Sequence, residues 1–175
     1  MIFKYPIYWP EFYTATILDW KPLLKDDAYK MIIINSLKNL VDQRKIKLCA
    51  FVIMNNHIHL IWQMMPNHVP SAVRHSFMKY TAHQMLFRLR DTNPTFLESF
   101  RVDKKDRQYQ FWKRNALTIE LFTQKVYMQK FNYIHKNPVK AGLCRLAESY
   151  RFSSASYYHN GTDEFGIMNT DIQVA

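Results

Sequence analysis

Two rhythms of apolar and polar positions alternate along the chain. Residues 12–18 (Phe-Tyr-Thr-Ala-Thr-Ile-Leu) are β-branched and aromatic and predict a strand. Asp26 and Asp27 open a stretch running to about Arg44 in which Ile33, Leu37, Leu40 and Val41 recur at helical spacing. Lys47 to Met54 predicts a second strand and His57 to Met64 a third. Asn55-Asn56 between them suits a turn, because short polar side chains tolerate left-handed backbone. Residues 69–90 mix basic and apolar positions as a helix would, and the irregular, charged 91–106 predicts a loop. Tyr109 to Arg114 is expected to supply a fourth strand. Residues 118–137 predict a helix ended by Pro138, which lacks the N–H that a helix needs, with Gly142 following.

The resulting order, β-α-β-β-α-β-α with a central hairpin, predicts an α+β fold: a ferredoxin-like antiparallel sheet with helices packed on one face. The 175 residues fit one domain, expected over 1–158, with 159–175 as a polar tail open to disorder. A fold of this kind hosts many functions, so it argues none by itself.

Composition narrows the choice. Apolar residues make up 48% of the chain, enough for a sizeable core, so wholesale disorder is excluded. Lysine and arginine number 24 against 14 acids, a net charge of +10, which favours a polyanionic partner. The 11 Tyr, 12 Phe and 4 Trp mostly serve the core, leaving some able to stack on unpaired bases. Cys49 and Cys144 form no CxxC pair and imply neither a disulfide framework nor a zinc knuckle; Cys49 sits in an apolar run and reads as a small core residue. The amino-terminal residues show no charged-then-apolar signal pattern, and the apolar runs fall short of the ~20 residues a membrane span needs. A reducing cytoplasm, in association with the nucleoid, is the expected location, with no membrane partner.

On a strand, residues i and i+2 share a face, so His57 and His59 project together while Ile58 points the other way. Two imidazoles so placed can converge on one divalent ion, which could polarise a phosphate. A lone His-x-His more often marks two solvated histidines and needs a third ligand and a nucleophile to carry meaning.

The segment Phe131-Asn-Tyr133-Ile-His-Lys-Asn137-Pro138 supplies candidates for both. Gln129, Tyr133 and Asn137 lie four apart on one helical face, flanked by Lys130, Lys136 and Lys140. The opposing stripe of Tyr127, Phe131 and Ile134 is apolar and belongs to the core, which separates a structural Tyr127 from a reactive Tyr133. A phenol with an ordinary pKa of about 10 needs activation, by a nearby cation or by loss of its proton as it attacks. The position before proline disfavours helix geometry, which puts Asn137 at the helix end.

These residues resemble a known family. Phe51-Val-Ile-Met-Asn-Asn-His-Ile-His-Leu-Ile-Trp62 resembles the HUH strand of single-tyrosine insertion-sequence transposases. Tyr133-Ile-His-Lys-Asn-Pro-Val-Lys-Ala-Gly-Leu143 resembles the tyrosine motif of their REP-associated branch, and Tyr150-Arg-Phe-Ser-Ser-Ala155 a segment that follows it there. Together they span roughly residues 12–158, in the family's order. The resemblance implies an HUH endonuclease domain that cuts and rejoins single-stranded DNA through a 5′-phosphotyrosine. It implies Tyr133 as nucleophile, and His57, His59 and Asn137 as ligands of Mg²⁺ or Mn²⁺. The substrate it implies is single-stranded DNA carrying a short hairpin. Asn55 stands where the family often has proline, which alters the turn but not the ligands. Lys130, Lys136, Lys140, Arg74, Lys79 and Arg114 are candidates for DNA contacts. Monomer and homodimer both remain open, because some relatives exchange the tyrosine helix between subunits. The alternatives are a non-catalytic, regulatory hairpin-binding relative, and a basic ferredoxin-like module that stacks RNA on its sheet aromatics.

Overall fold

The structure, a computed structural model, describes residues 8–170; the first seven residues and the last five of the expected tail lie outside the described residues. A four-stranded antiparallel sheet is built from β1 (Glu11–Thr16), β2 (Ile46–Ile53), β3 (His57–Met64) and β6 (Leu117–Glu120), in the order β2-β3-β1-β6. That order is ferredoxin-like: the β2–β3 hairpin lies on one side of β1 and the last strand on the other.

Alternation sends Tyr13, Ala15, Leu48, Phe51, Ile53, Ile58, Leu60 and Trp62 to one face, where α1 (Asp27–Asp42) and α2 (Pro70–Thr92) cover them. Ile33 and Leu37 of α1 and Phe77, Met85 and Leu89 of α2 are buried in that layer. Helix α1 starts where Asp26 accepts from the Ala28 N–H, the capping expected of an aspartate before an apolar-periodic run. The second face carries Phe12, Ala50, Val52 and Ile61, with Cys49 from the same strand, and is covered by α4 (Gln124–Lys140). The helices thus lie on both faces of the sheet, α1 and α2 on one and the tyrosine-bearing helix alone on the other.

Several expectations need correction. The fourth strand of the sheet is Leu117–Glu120 and not 109–114. Pairing explains this: β1 would otherwise present an open edge, and Glu11 to Thr14 of β1 pair with Leu117 to Glu120. Residues 109–114 yield only the end of β5 (Arg107–Tyr109), which pairs with β4 (Arg101–Lys104) in a separate hairpin, and a lone bridge from Trp112 to Ile17. The expected loop at 91–106 also holds the short helix α3 (Pro94–Glu98), capped by Asn93 accepting from the Phe96 N–H.

Helix α4 begins at Gln124 rather than 118, capped by Thr123, and continues through Pro138 to Lys140. A proline in the last turn forfeits only one hydrogen bond, and the chain closes normally beyond it. Ala141 N–H donates to the Asn137 carbonyl and Leu143 N–H to that of Pro138. Asn137 is therefore fully helical.

The tail is docked as far as Asn169. Ile167 is fully buried, and Asn169 N–H donates to the Leu48 carbonyl. Ile167, with Phe165 and Met168 packed against the same core, holds an otherwise polar segment. Helix α5 (Ala155–Asn160) precedes it, ending at Gly161 in the left-handed conformation expected of a helix stop.

Candidate active site

The two histidines begin β3 and point to the α4 face, as the strand's parity requires. Their ring centroids are 4.8 Å apart. Register places Thr16 of β1 opposite His57 and Thr14 opposite His59. Thr14 Oγ1 lies 2.7 Å from His59 Nδ1, and Asn56 Oδ1 lies 2.7 Å from His57 Nδ1. The Asn56 amide is itself oriented, since its Nδ2 donates to the Trp20 carbonyl at 3.2 Å. A carbonyl oxygen can only accept, so His57 carries its proton on Nδ1 and keeps its lone pair on Nε2.

Burial pushes both imidazoles toward the neutral form. It lowers the pKa of His57, with the Asn137 side chain, in hydrogen-bonding reach of the ring, opposing the shift. His59 is driven down to about 3, first by burial and then by the charges of His57 and Lys130. Neutral imidazoles near pH 7 are the form that binds metal. His59 Nε2 is buried without a hydrogen-bond partner, a state that ordinarily costs roughly 1–3 kcal/mol. A cation accepting that lone pair would remove the deficit, so the donor set fits a divalent ion. Among the described residues no group of three His, Cys, Asp or Glu side chains could hold a metal. A third protein ligand would therefore be a neutral oxygen, and the Asn137 amide is the one beside His57.

Helix α4 delivers Tyr133 and Asn137 together. Ile134 is fully buried against the sheet, and Tyr127 and Phe131 pack beside it. His135 is also buried, its Nε2 2.7 Å from Ser154 Oγ, and that oxygen in turn accepts from the Phe51 N–H. Burial lowers the His135 pKa to about 4. The helix is thereby fixed at one height over the sheet, within a single chain. Tyr133 projects from its edge with 41% of its surface exposed. Its ring stands edge-on to His59 at 5.1 Å between centroids and to Phe12 at 6.0 Å. Phe12 also stacks on His59 at 5.4 Å, and Lys130 Nζ lies 4.8 Å from the Phe12 ring and 5.9 Å from that of Tyr133. Tyr127, by contrast, is stacked on Phe131, and burial raises its pKa.

The remaining candidates divide. Lys136 and Lys140 are exposed on α4. Arg74, Lys79 and Arg114 lie elsewhere, along two adjoining grooves between α2 and residues 106–118, to which His75, Arg107 and Lys113 also contribute. Tyr13 lines one of these grooves, so they belong to the layer opposite the histidines. The Arg74 guanidinium contacts both oxygens of buried Glu11, at 2.8 and 3.0 Å, and Trp62 Nε1 donates to the same carboxylate. Residues that sequence reasoning passed over include Thr14 and Asn56, the partners of the two histidines, and Phe12. Only Asn56, next to His57 in the chain, was within reach of a sequence argument; Thr14 and Phe12 depend on cross-strand register.

A ferredoxin-like sheet carries the His-hydrophobic-His strand, and a tyrosine from a helix laid on the same side faces it. The chain belongs to the IS200-like transposase family, whose family model matches residues 19–137. In solved structures its fold is similar to that of a REP-associated tyrosine transposase bound to a REP hairpin. The two share 16% identity, a TM-score of 0.67, 97% coverage of this chain and 93% of that one. A putative transposase from Deinococcus radiodurans R1 is similar at 15% identity, TM-score 0.49, over 77% of this chain and 95% of that one. No curated protein matches the chain in sequence.

Proposed function

We propose that this transposase is a metal-dependent single-strand DNA endonuclease and strand transferase that works through a covalent tyrosine intermediate. The observation that carries the reading is the buried, unpartnered His59 Nε2 with the exposed Tyr133 ring edge-on to the same imidazole. A ligand-ready nitrogen beside an exposed phenol suits metal-assisted phosphoryl transfer to tyrosine.

His57 Nε2, His59 Nε2 and the Asn137 amide oxygen would hold the cation, Mg²⁺ or Mn²⁺ by the chemistry of a mixed nitrogen and oxygen set. When bound, it would polarise the scissile phosphate and neutralise charge developing there. Tyr133 Oη attacks phosphorus, the Oη–P bond forms, and the bond from phosphorus to the 3′-oxygen breaks. The phenolic proton leaves to solvent and the departing 3′-oxygen takes one up, so a free 3′-hydroxyl and a 5′-phosphotyrosine result. A later 3′-hydroxyl reverses the exchange and rejoins strands without ATP. The Lys130 ammonium, 5.9 Å from the Tyr133 ring, attracts the phosphate.

The similar REP-associated transposase is bound to a REP hairpin, and we carry over a hairpin-bearing single strand as the substrate here. Lys136 and Lys140 continue the basic face of α4 toward that strand. The grooves holding Lys79, Lys113 and Arg114 offer cations for a paired stem, whereas Arg74 is engaged by Glu11 and Arg107 by Asp106. His57, His59, Tyr133 and Asn137 come from one chain here, which supports cleavage by a single subunit.

Incubating the protein with hairpin-bearing single-stranded oligonucleotides and Mg²⁺ or Mn²⁺ should yield a denaturant-resistant adduct, mapped by mass spectrometry to Tyr133. Hairpin binding without an adduct under either metal would instead leave a non-catalytic, regulatory DNA-binding protein.

A further inference from the structure

The turn that follows β1 carries a feature the chemistry above does not use. Asp19 and Trp20 both have left-handed backbone, at φ 54° and 57°, and neither is glycine. A bulky side chain in that region is a conformational outlier, kept only where its surroundings hold it. Here they do: Trp20 N–H donates to the Ile17 carbonyl, Lys21 N–H to that of Leu18, and the Lys21 ammonium pairs with Asp19 at 2.8 Å. Asn56 Nδ2 donates to the Trp20 carbonyl. So braced, the turn leaves Trp20 58% exposed. Its ring stands edge-on to His57 at 6.2 Å between centroids. Successive ring contacts therefore run from Trp20 to His57, His59 and Tyr133. The indole occupies the end of that row away from the tyrosine.

We infer that Trp20 is the stacking platform for an unpaired nucleobase adjoining the phosphate held at His57 and His59. This assignment rests on the nuclease reading of the site. A flat, exposed indole has a face for any base, so it gives affinity and orientation with little sequence preference. The same turn orients Asn56, and through it His57, so base stacking and ligand geometry share one backbone support. A strand stacked on Trp20 cannot slide relative to the histidines, which keeps one phosphate in line with Tyr133.

The test uses the full chain carrying Tyr133→Phe, in Mg²⁺, so that binding is read without strand cleavage. Two fluorescently labelled probes of equal length and charge are compared by anisotropy: a 12-nucleotide oligo(dT) and the same backbone lacking all bases. Trp20→Ala should weaken oligo(dT) binding by roughly 5- to 100-fold and change binding of the abasic chain less than about twofold. Trp20→Phe should recover most of the loss. Equal losses on both probes would mean that Trp20 only braces Asn56 and His57, and no loss on either would mean that the indole touches no base; each result overturns the assignment. Adduct formation by the otherwise native chain is scored separately, so failure of the nuclease reading is distinguishable from failure of the stacking role.

Discussion

Asn56 Oδ1 lies 2.7 Å from His57 Nδ1, fixing which nitrogen of that imidazole faces outward. The pair sits at the tip of the β2–β3 hairpin. Partners of this kind orient a ligating histidine and raise its basicity, and their removal typically lowers metal affinity 10- to 100-fold. Asn56→Ala should therefore weaken Mn²⁺ binding, measured by calorimetry, by about that factor while leaving the fold intact. Unchanged affinity would show that the hydrogen bond does not tune His57.

Tyr133 and Tyr127 should separate cleanly. Tyr133→Phe should abolish the covalent adduct while keeping cation and hairpin binding. Tyr127→Phe should retain the adduct but lose about 1 kcal/mol of stability, since it removes one buried hydroxyl from beside Cys49. A Tyr133→Phe protein that still forms the adduct at the native rate would overturn the choice of nucleophile.

Cation binding should raise thermal stability through the histidine pair. A ligand at about a hundred times its dissociation constant adds about 2.7 kcal/mol to the folded state. Thermal unfolding of the native chain should therefore shift upward with added Mn²⁺, and that of His59→Ala should not. Equal shifts in both proteins would place the bound ion elsewhere.

Acid should loosen the anchor of α4. Burial holds His135 neutral, with a folded pKa of about 4 against about 6.5 in the unfolded chain. A depressed value means that the stabilisation is complete above pH 6.5 and declines as pH falls through 6.5 toward 4. Roughly 1–2 kcal/mol should be lost between pH 7 and pH 5 from this residue. His59 adds a second loss of the same sign in the metal-free protein. Denaturant titrations across that range should show a shallower decline for His135→Gln, and parallel curves would refute the assignment.

Arg74 should behave as a structural residue first. Removing its guanidinium leaves the Glu11 carboxylate, 5% exposed, with Trp62 as its remaining close partner. Arg74→Ala should cost about 2–3 kcal/mol in denaturant unfolding, because an uncompensated buried charge is more damaging than a lost surface contact. Lys79→Ala, on the same helix but exposed, should leave stability within about 0.5 kcal/mol. Equal stability of the two variants would return Arg74 to the surface cations.

The chain's own pattern determined a good deal. Strand β3 was legible from His57 to Met64, because alternation and the preceding Asn-Asn turn are local signals. Both long helices facing the first layer were legible for the same reason, as was the parity that sends His57 and His59 to one side. Helical spacing alone also set Tyr127 on the packed stripe of α4 and Tyr133 on its exposed edge. Tertiary structure decided the rest. Leu117–Glu120 became a strand only because the edge of β1 was there to receive it, and Pro138 stayed inside α4 because a last-turn proline forfeits a single bond. Phe165, Ile167 and Met168 docked a tail whose composition is otherwise polar. Thr14 and Phe12 reached His59 through cross-strand register, and the Trp20 carbonyl reached Asn56 through a left-handed turn. None of these pairings has a short-range signature. Each depends on which free edge, pocket or hydrogen-bonding group remains when distant segments meet, and that is fixed only once the chain has closed on itself.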